Sequence, residues 1–296
     1  MPTAALHDHC RTLYPSSRQA LIALDLDGTL VLKGDIVPVS ALQALAGAVE
    51  AGAAVVVTTG RRYRIAVPPV QSLPFPTLLL AHNGALLKET VHHRTLFRQD
   101  FPASLVPEVW RLIGTLGLAP VAHVDGYTDP PEVLTVPPEP GTYHARMWEE
   151  RYRAIGALLD DDQAPDRPVI QFLAFGSPEQ LTAAEQTIAR AFGSALYTHS
   201  MRVPHEEIFV MEVLHPEGSK WHGVQHAAEA LGVAPDRIVA VGDDANDLPM
   251  LRGAAVGIAM GNGTDAAKTA ADAVVAANTA GGVAEAVQRF LLPMLR

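Results

Sequence analysis

At 296 residues the chain is longer than one compact domain usually is, so two folding units or one elaborated unit are expected. With 48% hydrophobic and 18% charged residues the composition is globular, and a formal charge of -10 excludes a general nucleic-acid binder, because such a surface repels phosphate backbones. The single cysteine, Cys10, excludes an intrachain disulfide; the opening MPTAALHDHCRTLYPSSRQ has no basic start followed by an apolar core, and no stretch approaches the roughly 18 apolar residues of a membrane span, so a cytoplasmic protein is expected.

In chain order, residues 20 to 25 (ALIALD), 53 to 58 (AAVVVT) and 77 to 81 (TLLLA) are short apolar runs, the pattern of strands covered on both faces. Between the first two, SALQALAGAVEAG has apolar residues at helical spacing, Ser40 as its expected cap and Gly52 as its stop. The block from about 86 to 204 reads differently. It holds a hairpin (ALLKETVHHRTLF), a helix near 103 to 117, the loop DGYTDPPEVLTVPPEPG, a helix near 143 to 159, and a strand VIQFLAFG followed by a helix from Pro178. Five prolines between 130 and 140 predict no regular element there. Strand and helix alternation then returns with IFVMEVL at 208 to 214, a helix at about 220 to 231, RIVAVGD at 237 to 243, a short helix, AAVGIAM at 254 to 260 and a final helix from about 281. The expected architecture is α/β: a parallel-sheet core from residues 1–85 plus 205–296, interrupted by an inserted α+β domain at 86–204. Ligands of such sheets bind at the carboxyl ends of the strands.

Four polar motifs fall at those ends. DLDGT closes the first strand, TTGR (58 to 61) the second, GSK (218 to 220) precedes a late helix, and GDDAND (242 to 247) closes a late strand. Taken alone, DLDGT reads equally as a turn after a strand, although chance produces the pattern in roughly one window in 10^5. Its company decides the matter. Two carboxylates about 4 Å apart repel by roughly 4 kcal/mol at an effective dielectric of 20, so Asp25, Asp27, Asp243, Asp244 and Asp247 cannot converge as bare anions. Oxygen ligands without a histidine or thiol cluster imply a hard cation, and room for a phosphate suits Mg²⁺. A carboxylate attacking a phosphate dianion needs the same counterweights, for which Lys220, the Thr59 hydroxyl and the backbone amides after Asp25 are available. DDANDLPML is no EF-hand loop, since Ala245 stands third and no glycine follows at the sixth place.

DLDGTL, TTGR, GSK and GDDANDLPML, in this order and with a large insertion between the second and third, resemble the haloacid dehalogenase superfamily. HNGA (82 to 85) and the tail AMGNGTDAAKTAADAVVAANTAGGVAEAV resemble its Cof-type sugar-phosphatase branch. The resemblance covers roughly 20 to 85 and 205 to 291; in the middle only size and position match a cap domain. It implies a Rossmann-like core and Mg²⁺-dependent hydrolysis of a phosphate ester through an aspartyl-phosphate; opening and closing of the inserted domain over the site is expected to admit substrate and then exclude bulk water. On it, Asp25 is nucleophile and metal ligand, and Asp27 lends its backbone carbonyl to the metal and its side chain as general acid and base. Thr59, which directly precedes the glycine, holds a phosphoryl oxygen in preference to Thr58. Lys220 neutralises the nucleophile and phosphate, Asp243 binds the metal, Asn246 contacts the phosphate, and Asp247 binds or buttresses the metal and lysine. Trp221, where the family usually has glycine, leaves the packing of that helix open.

Gly60 and Arg61, with Asn83, complete the expected substrate contacts. Asn83 reads equally as a turn former before Gly84, and Arg61 and Arg62 also as the start of a helix on a solvated face. His92, His93, His199 and His205 show no zinc spacing and read as surface residues. Arg146, Arg151 and Arg153 read as partners of Glu149 and Glu150 rather than as substrate contacts. The expected partner is a small phosphorylated metabolite, most simply a sugar phosphate, with no nucleic acid and no membrane, bound by a monomer or small homo-oligomer. A phosphotransferase or phosphomutase would use the same aspartate. A binding module would need no nucleophile, a dinucleotide oxidoreductase would want G-x-G-x-x-G after the first strand, and a transport ATPase would want membrane helices.

Overall fold

The computed structural model describes residues 18–160, 163–202 and 207–295; Cys10 and His205 lie outside them. The chain divides into two compact units, Met1–Arg98 with Gly218–Arg296, and Gln99–Glu217.

The first unit opens with β1 (Ala20–Asp25), whose six residues are all buried. It continues through α1 (Val39–Glu50), β2 (Ala53–Thr58), α2 (Tyr63–Gln71), β3 (Leu78–Ala81), β4 (Leu86–Glu89) and β5 (Thr95–Arg98). The second unit follows, with α3 (Val106–Thr115), β6 (Val121–Val124), β7 (Val133–Thr135), α4 (Tyr143–Met147), β8 (Gly156–Leu158), β9 (Val169–Gly176), α5 (Pro178–Phe192), β10 (Tyr197–Arg202) and β11 (Phe209–Leu214). The chain then completes the first unit with α6 (Lys220–Leu231), β12 (Ile238–Gly242), α7 (Leu248–Gly253), β13 (Val256–Ala259), α8 (Asp265–Ala270), β14 (Ala273–Val274) and α9 (Gly282–Ala286).

The first unit is an eight-stranded sheet in the order β14-β13-β12-β1-β2-β3-β4-β5. From β14 to β3 neighbouring strands run parallel, with Leu21 of β1 beside both Ala54 of β2 and Ile238 of β12. One cluster joins Leu21, Val56, Leu78 and Leu80 to Val224 and Ala227 of α6, which is why these strands are apolar throughout. Successive strands step one way from β1 through β5, and the chain later steps the other way through β12 to β14. The reversal between β1 and β12 is a topological switch point, the place where such sheets bind ligands.

The inserted unit is a six-stranded mixed sheet, β10-β11-β9-β6-β7-β8, antiparallel except for the pair β7 and β8. Strand β9 alternates between two cores. Phe172 and Ala174 join Val109, Trp110 and Ile113 of α3 and Leu181 and Ile188 of α5. Leu173 and Phe175 join Met147, Trp148 and Tyr152 on the other face. Helix α5 is set by a complete capping box between Ser177 and Gln180.

Several sequence expectations change. The hairpin of β4 and β5 belongs to the first sheet, because β4 covers the outer edge of β3, with Leu80 beside Leu87. The apolar run IFVMEVL pairs antiparallel with β9 and β10 in the inserted sheet instead of extending the parallel one. The junctions therefore lie at 98/99 and 217/218, where 85/86 and 204/205 were expected. Pro38, not Ser40, stands at the cap of α1, and Ser40 lies in the first turn. The helix near 143 to 159 ends at Tyr152 after a π-helical turn, and Gly156–Leu158 form a strand packed so close that a Cβ on Gly156 would strike Trp148. Between the prolines, Val133–Thr135 pair with β6 and β8 as a three-residue strand. Arg146 and Arg153 pair with Glu150 and Glu149 four residues away.

Candidate active site

Three loops at the carboxyl ends of β1, β2 and β12 converge with the start of α6. Asp25 ends β1 and is 4% exposed. The following chain turns through Gly28, whose φ is +76° and whose missing Cβ makes room for the Asp243 carboxylate. Asp243 follows β12. Gly242 before it has no space for a Cβ, because the Asp247 side chain folds back against it.

Lys220 joins the two halves of the chain. Its Nζ donates to Asp25 Oδ1 at 2.5 Å and to Asp247 Oδ1 at 2.6 Å, and it is only 1% exposed. Asp247 is fully buried, and its other oxygen accepts the backbone N–H groups of Asp243 at 2.8 Å and Asp244 at 3.1 Å. Helix α6 begins at Lys220, and Ser219 caps it by accepting the His222 N–H. Gly84, at φ +102°, lets the HNGA turn press against the Ser219 carbonyl, where any Cβ would collide. Trp221 fits this helix without disturbing it: its ring lies over Gly253 of α7, and α6 is regular through Leu231.

Asp25, Asp243 and Asp247 each offer an oxygen within 4.8 Å of the others. Only three of the five aspartates therefore converge. Asp244 is exposed and turns to its own local cap, accepting from Ala245 N–H. The Asp27 side chain, 55% exposed, leaves the cluster and forms a two-pronged ion pair with Arg61, whose Nε is 2.8 Å from Asp27 Oδ2 and which also reaches Asp35 at 2.8 Å. Thr59 is buried and its hydroxyl accepts the Arg61 N–H at 3.0 Å, whereas the Thr58 hydroxyl points back to Leu24 O and the Met250 sulfur. Asn83, at φ +53°, accepts from Asn246 Nδ2 at 3.2 Å, and a Cβ on Gly60 would press on the same Asn83 oxygen. Arg62 sits at the start of α2.

Two contributors were missed in the sequence. Thr29 donates its hydroxyl to Asp243 Oδ1 at 3.0 Å, although it stands in plain view within DLDGT. Asn262 donates to Gly28 O and accepts from Asn278 N–H, tying the β1 loop to the tail; nothing in GNG signals that bridge. The histidines take structural places: His92 is exposed, His93 meets the Tyr63 hydroxyl at 2.8 Å, and His199 lies 3.4 Å from Glu212.

The electrostatics are those of a site short of positive charge. Burial raises the Asp25 carboxyl well above the usual range; Lys220 opposes this, and Asp247 and Asp243 add to it. Burial alone would lower Lys220, but the attraction of Asp25 and Asp247 outweighs it and the ammonium is held charged. Asp243 is pushed up to about 6, by burial first and by Asp247, against the hydrogen bond from Thr29. Three carboxylates facing one lysine, all with oxygen donors, fit a hard divalent cation. Asp25 and Asp243 are the natural ligands, while Asp247 already engages both oxygens with Lys220 and two amides.

A pH dependence follows. Asp243 must be ionised to hold a cation, so Mg²⁺ affinity measured by calorimetry falls as pH is lowered through about 6; equal affinity at pH 5 and pH 7.5 contradicts the assignment. For the metal-free fold the sign is opposite. A carboxyl raised from 3.8 to about 6 contributes stability that is present below about 3.8 and lost as pH rises through about 6.

A separate cavity of about 830 Å³ lies within the inserted unit, lined by Trp110, Leu118, Val136, Tyr143, His144 and Phe175 among others, and contains none of these acidic residues. Among the described residues no helix is long and apolar enough to cross a membrane.

Comparison with known proteins agrees with the fold and the motifs. The family model for haloacid dehalogenase-like hydrolases matches residues 22–287. Pyridoxal phosphate phosphatase YbhA of Escherichia coli (strain K12) is 30% identical over 292 residues, covering 92% of this chain and 98% of that protein. The 5-amino-6-(5-phospho-D-ribitylamino)uracil phosphatase YitU of Bacillus subtilis (strain 168) is 25% identical over 286 residues, covering 91% and 97%. The crystal structure of a haloacid dehalogenase-like hydrolase from Bacteroides thetaiotaomicron superposes with a TM-score of 0.72 at 25% identity, covering 91% of this chain and 98% of that one.

Proposed function

The chain belongs to the haloacid dehalogenase-like hydrolases and is a phosphatase, and from that premise we propose that it hydrolyses a small phosphorylated metabolite with Mg²⁺ and an aspartyl-phosphate intermediate. One observation carries the reading: the Lys220 ammonium lies between Asp25 and Asp247 at the switch point of a parallel sheet, with Asp243 beside them. Asp25 and Asp243, with the Asp27 carbonyl, would hold Mg²⁺, and Asp247 would bind it or buttress it through Lys220; the ion when bound neutralises carboxylate and phosphate charge.

Asp25 attacks phosphorus while the bond to the leaving oxygen breaks, and a proton on the Asp27 carboxyl passes to that oxygen. Water then attacks the acyl-phosphate, its proton returns to Asp27, and Asp25 and inorganic phosphate are regenerated. Lys220 offsets the charge on Asp25 through both steps. Thr59, Gly60, Asn83 and Asn246 orient the phosphoryl group. Arg61 pairs with the Asp27 carboxylate, so proton delivery requires Arg61 to exchange that partner for the substrate.

A sugar phosphate is the expected substrate, and the inserted unit is where its choice is made. Pyridoxal phosphate is a second reading, favoured by the 30% identity to a pyridoxal phosphate phosphatase over nearly the whole chain. The single cysteine suits a cytoplasmic location. The test is phosphate release from a panel of sugar phosphates, nucleotides, pyridoxal phosphate and the ribitylaminouracil phosphate. Hydrolysis of one of them, silenced by excess chelator and restored by Mg²⁺, is expected. Phosphate transfer to a second metabolite without release identifies a phosphotransferase or mutase, and full activity in chelator overturns the metal assignment.

A further inference from the structure

Helix α6 carries a second chemistry that the acidic site does not use. His222 and His226 stand four residues apart, so both rings leave the helix on one face. Their Nε2 atoms are 3.2 Å apart, and the rings meet nearly perpendicular, with centroids 4.8 Å apart. Two imidazoles on one tetrahedral ion, each at about 2.0–2.1 Å, hold their nitrogens about 3.3 Å apart. The pair already has that spacing.

Its surroundings keep it there. Phe97 of β5 stacks on His226 with centroids 3.9 Å apart and planes at 21°, fixing the ring against the sheet. The His226 side chain remains 34% exposed, so an ion with its waters has access. Glu229, one turn further, sets a carboxylate 4.0 Å from His226 Nδ1, on the opposite side of the ring. That carboxylate favours the proton on Nδ1, which leaves the Nε2 lone pair for a ligand. Burial, and then His222, lower the pKa of His226 against Glu229, so the ring is neutral at pH 7 as a metal ligand must be.

We propose that His222 and His226 form a two-histidine site for a borderline transition cation such as Zn²⁺ or Ni²⁺, with water in the remaining positions. Neutral nitrogen donors discriminate against Mg²⁺, so this site and the carboxylate cluster select different ions. Without an ion, one Nε2 carries the proton shared across the 3.2 Å contact. On binding, that proton moves to Nδ1 of the same ring, and both Nε2 atoms bond the metal.

The full chain, held in saturating Mg²⁺ so that the carboxylate cluster is occupied, is titrated with Zn²⁺ by calorimetry. One saturable site is expected, weakened at least tenfold in both His222→Gln and His226→Gln. Long-range ¹⁵N–¹H spectra should show the ring that donates across the Nε2–Nε2 contact shifting to the Nδ1–H tautomer as Zn²⁺ is added, so that both rings end as Nδ1–H. Absence of saturable binding overturns the proposal. So does equal affinity in wild type and both variants, since the carboxylates alone would then take up the ion. Neither result bears on the phosphatase reading, whose residues both variants retain.

Discussion

Asp25→Asn removes turnover, by more than about 10^3-fold, while the protein stays folded. Asparagine keeps the shape of the side chain but cannot form the acyl-phosphate. Its effect on stability has a definite sign. Burial raises the Asp25 carboxyl, so its charge is unfavourable in the metal-free fold. The neutral amide relieves the repulsion from Asp247 and Asp243, and Lys220 keeps Asp247 as a partner. The melting temperature of the variant in chelator is therefore expected to equal or exceed that of the wild type. The stabilisation that Mg²⁺ confers on the wild type should shrink in the variant, which lacks one charged ligand. Phosphate release assays and calorimetric melting, each with and without Mg²⁺, check all three statements. Residual activity above a few per cent would contradict the covalent mechanism.

Lys220→Met fails differently, losing both activity and stability. The methionine fills similar space but leaves Asp25, Asp243 and Asp247 facing one another with no cation among the residues that bond them. Breaking a buried ion pair by removing one partner costs about 3–5 kcal/mol, a large share of the stability of an ordinary domain. Turnover should fall at least about 10²–10³-fold, because the charge on nucleophile and phosphate loses its fixed counterweight. Added Mg²⁺ should recover part of the melting temperature and little of the activity. If the variant melts with the wild type in chelator, the ammonium is not what holds the acidic cluster together.

Much of this site is legible in the chain. Short apolar runs ending in polar motifs locate β1, β2, β3, β12 and β13, and the need for a cation among crowded carboxylates identifies Lys220. What the sequence conceals is direction. An apolar run shows that a strand is buried but not in which sheet or sense, so β11 looks like one more parallel strand although it pairs antiparallel with β9. The same blindness applies to single side chains. Asp25 and Asp27 sit two apart on an ending strand, but the turn through Gly28 sends one into the cluster and the other to Arg61. Charge spacing along WEERYRAIGALL is helical, yet the chain leaves the helix after Tyr152, and Leu134 pairs with Ala157 instead. His222 and His226 stand four residues apart in the sequence, but the 3.2 Å approach of their nitrogens and the stacking of Phe97 on His226 appear only in the fold.

Because Leu21 lies between Ala54 and Ile238, the central strand gains one neighbour early in synthesis and waits for the other until the whole insertion has left the ribosome. During that interval an unpaired strand edge ending in aspartate stands open, a template for wrong pairing that a nascent chain must survive. A polypeptide stopped before residue 220 would carry Asp25 without the ammonium that bonds it, so truncated products should be inert toward phosphate esters and prone to aggregate.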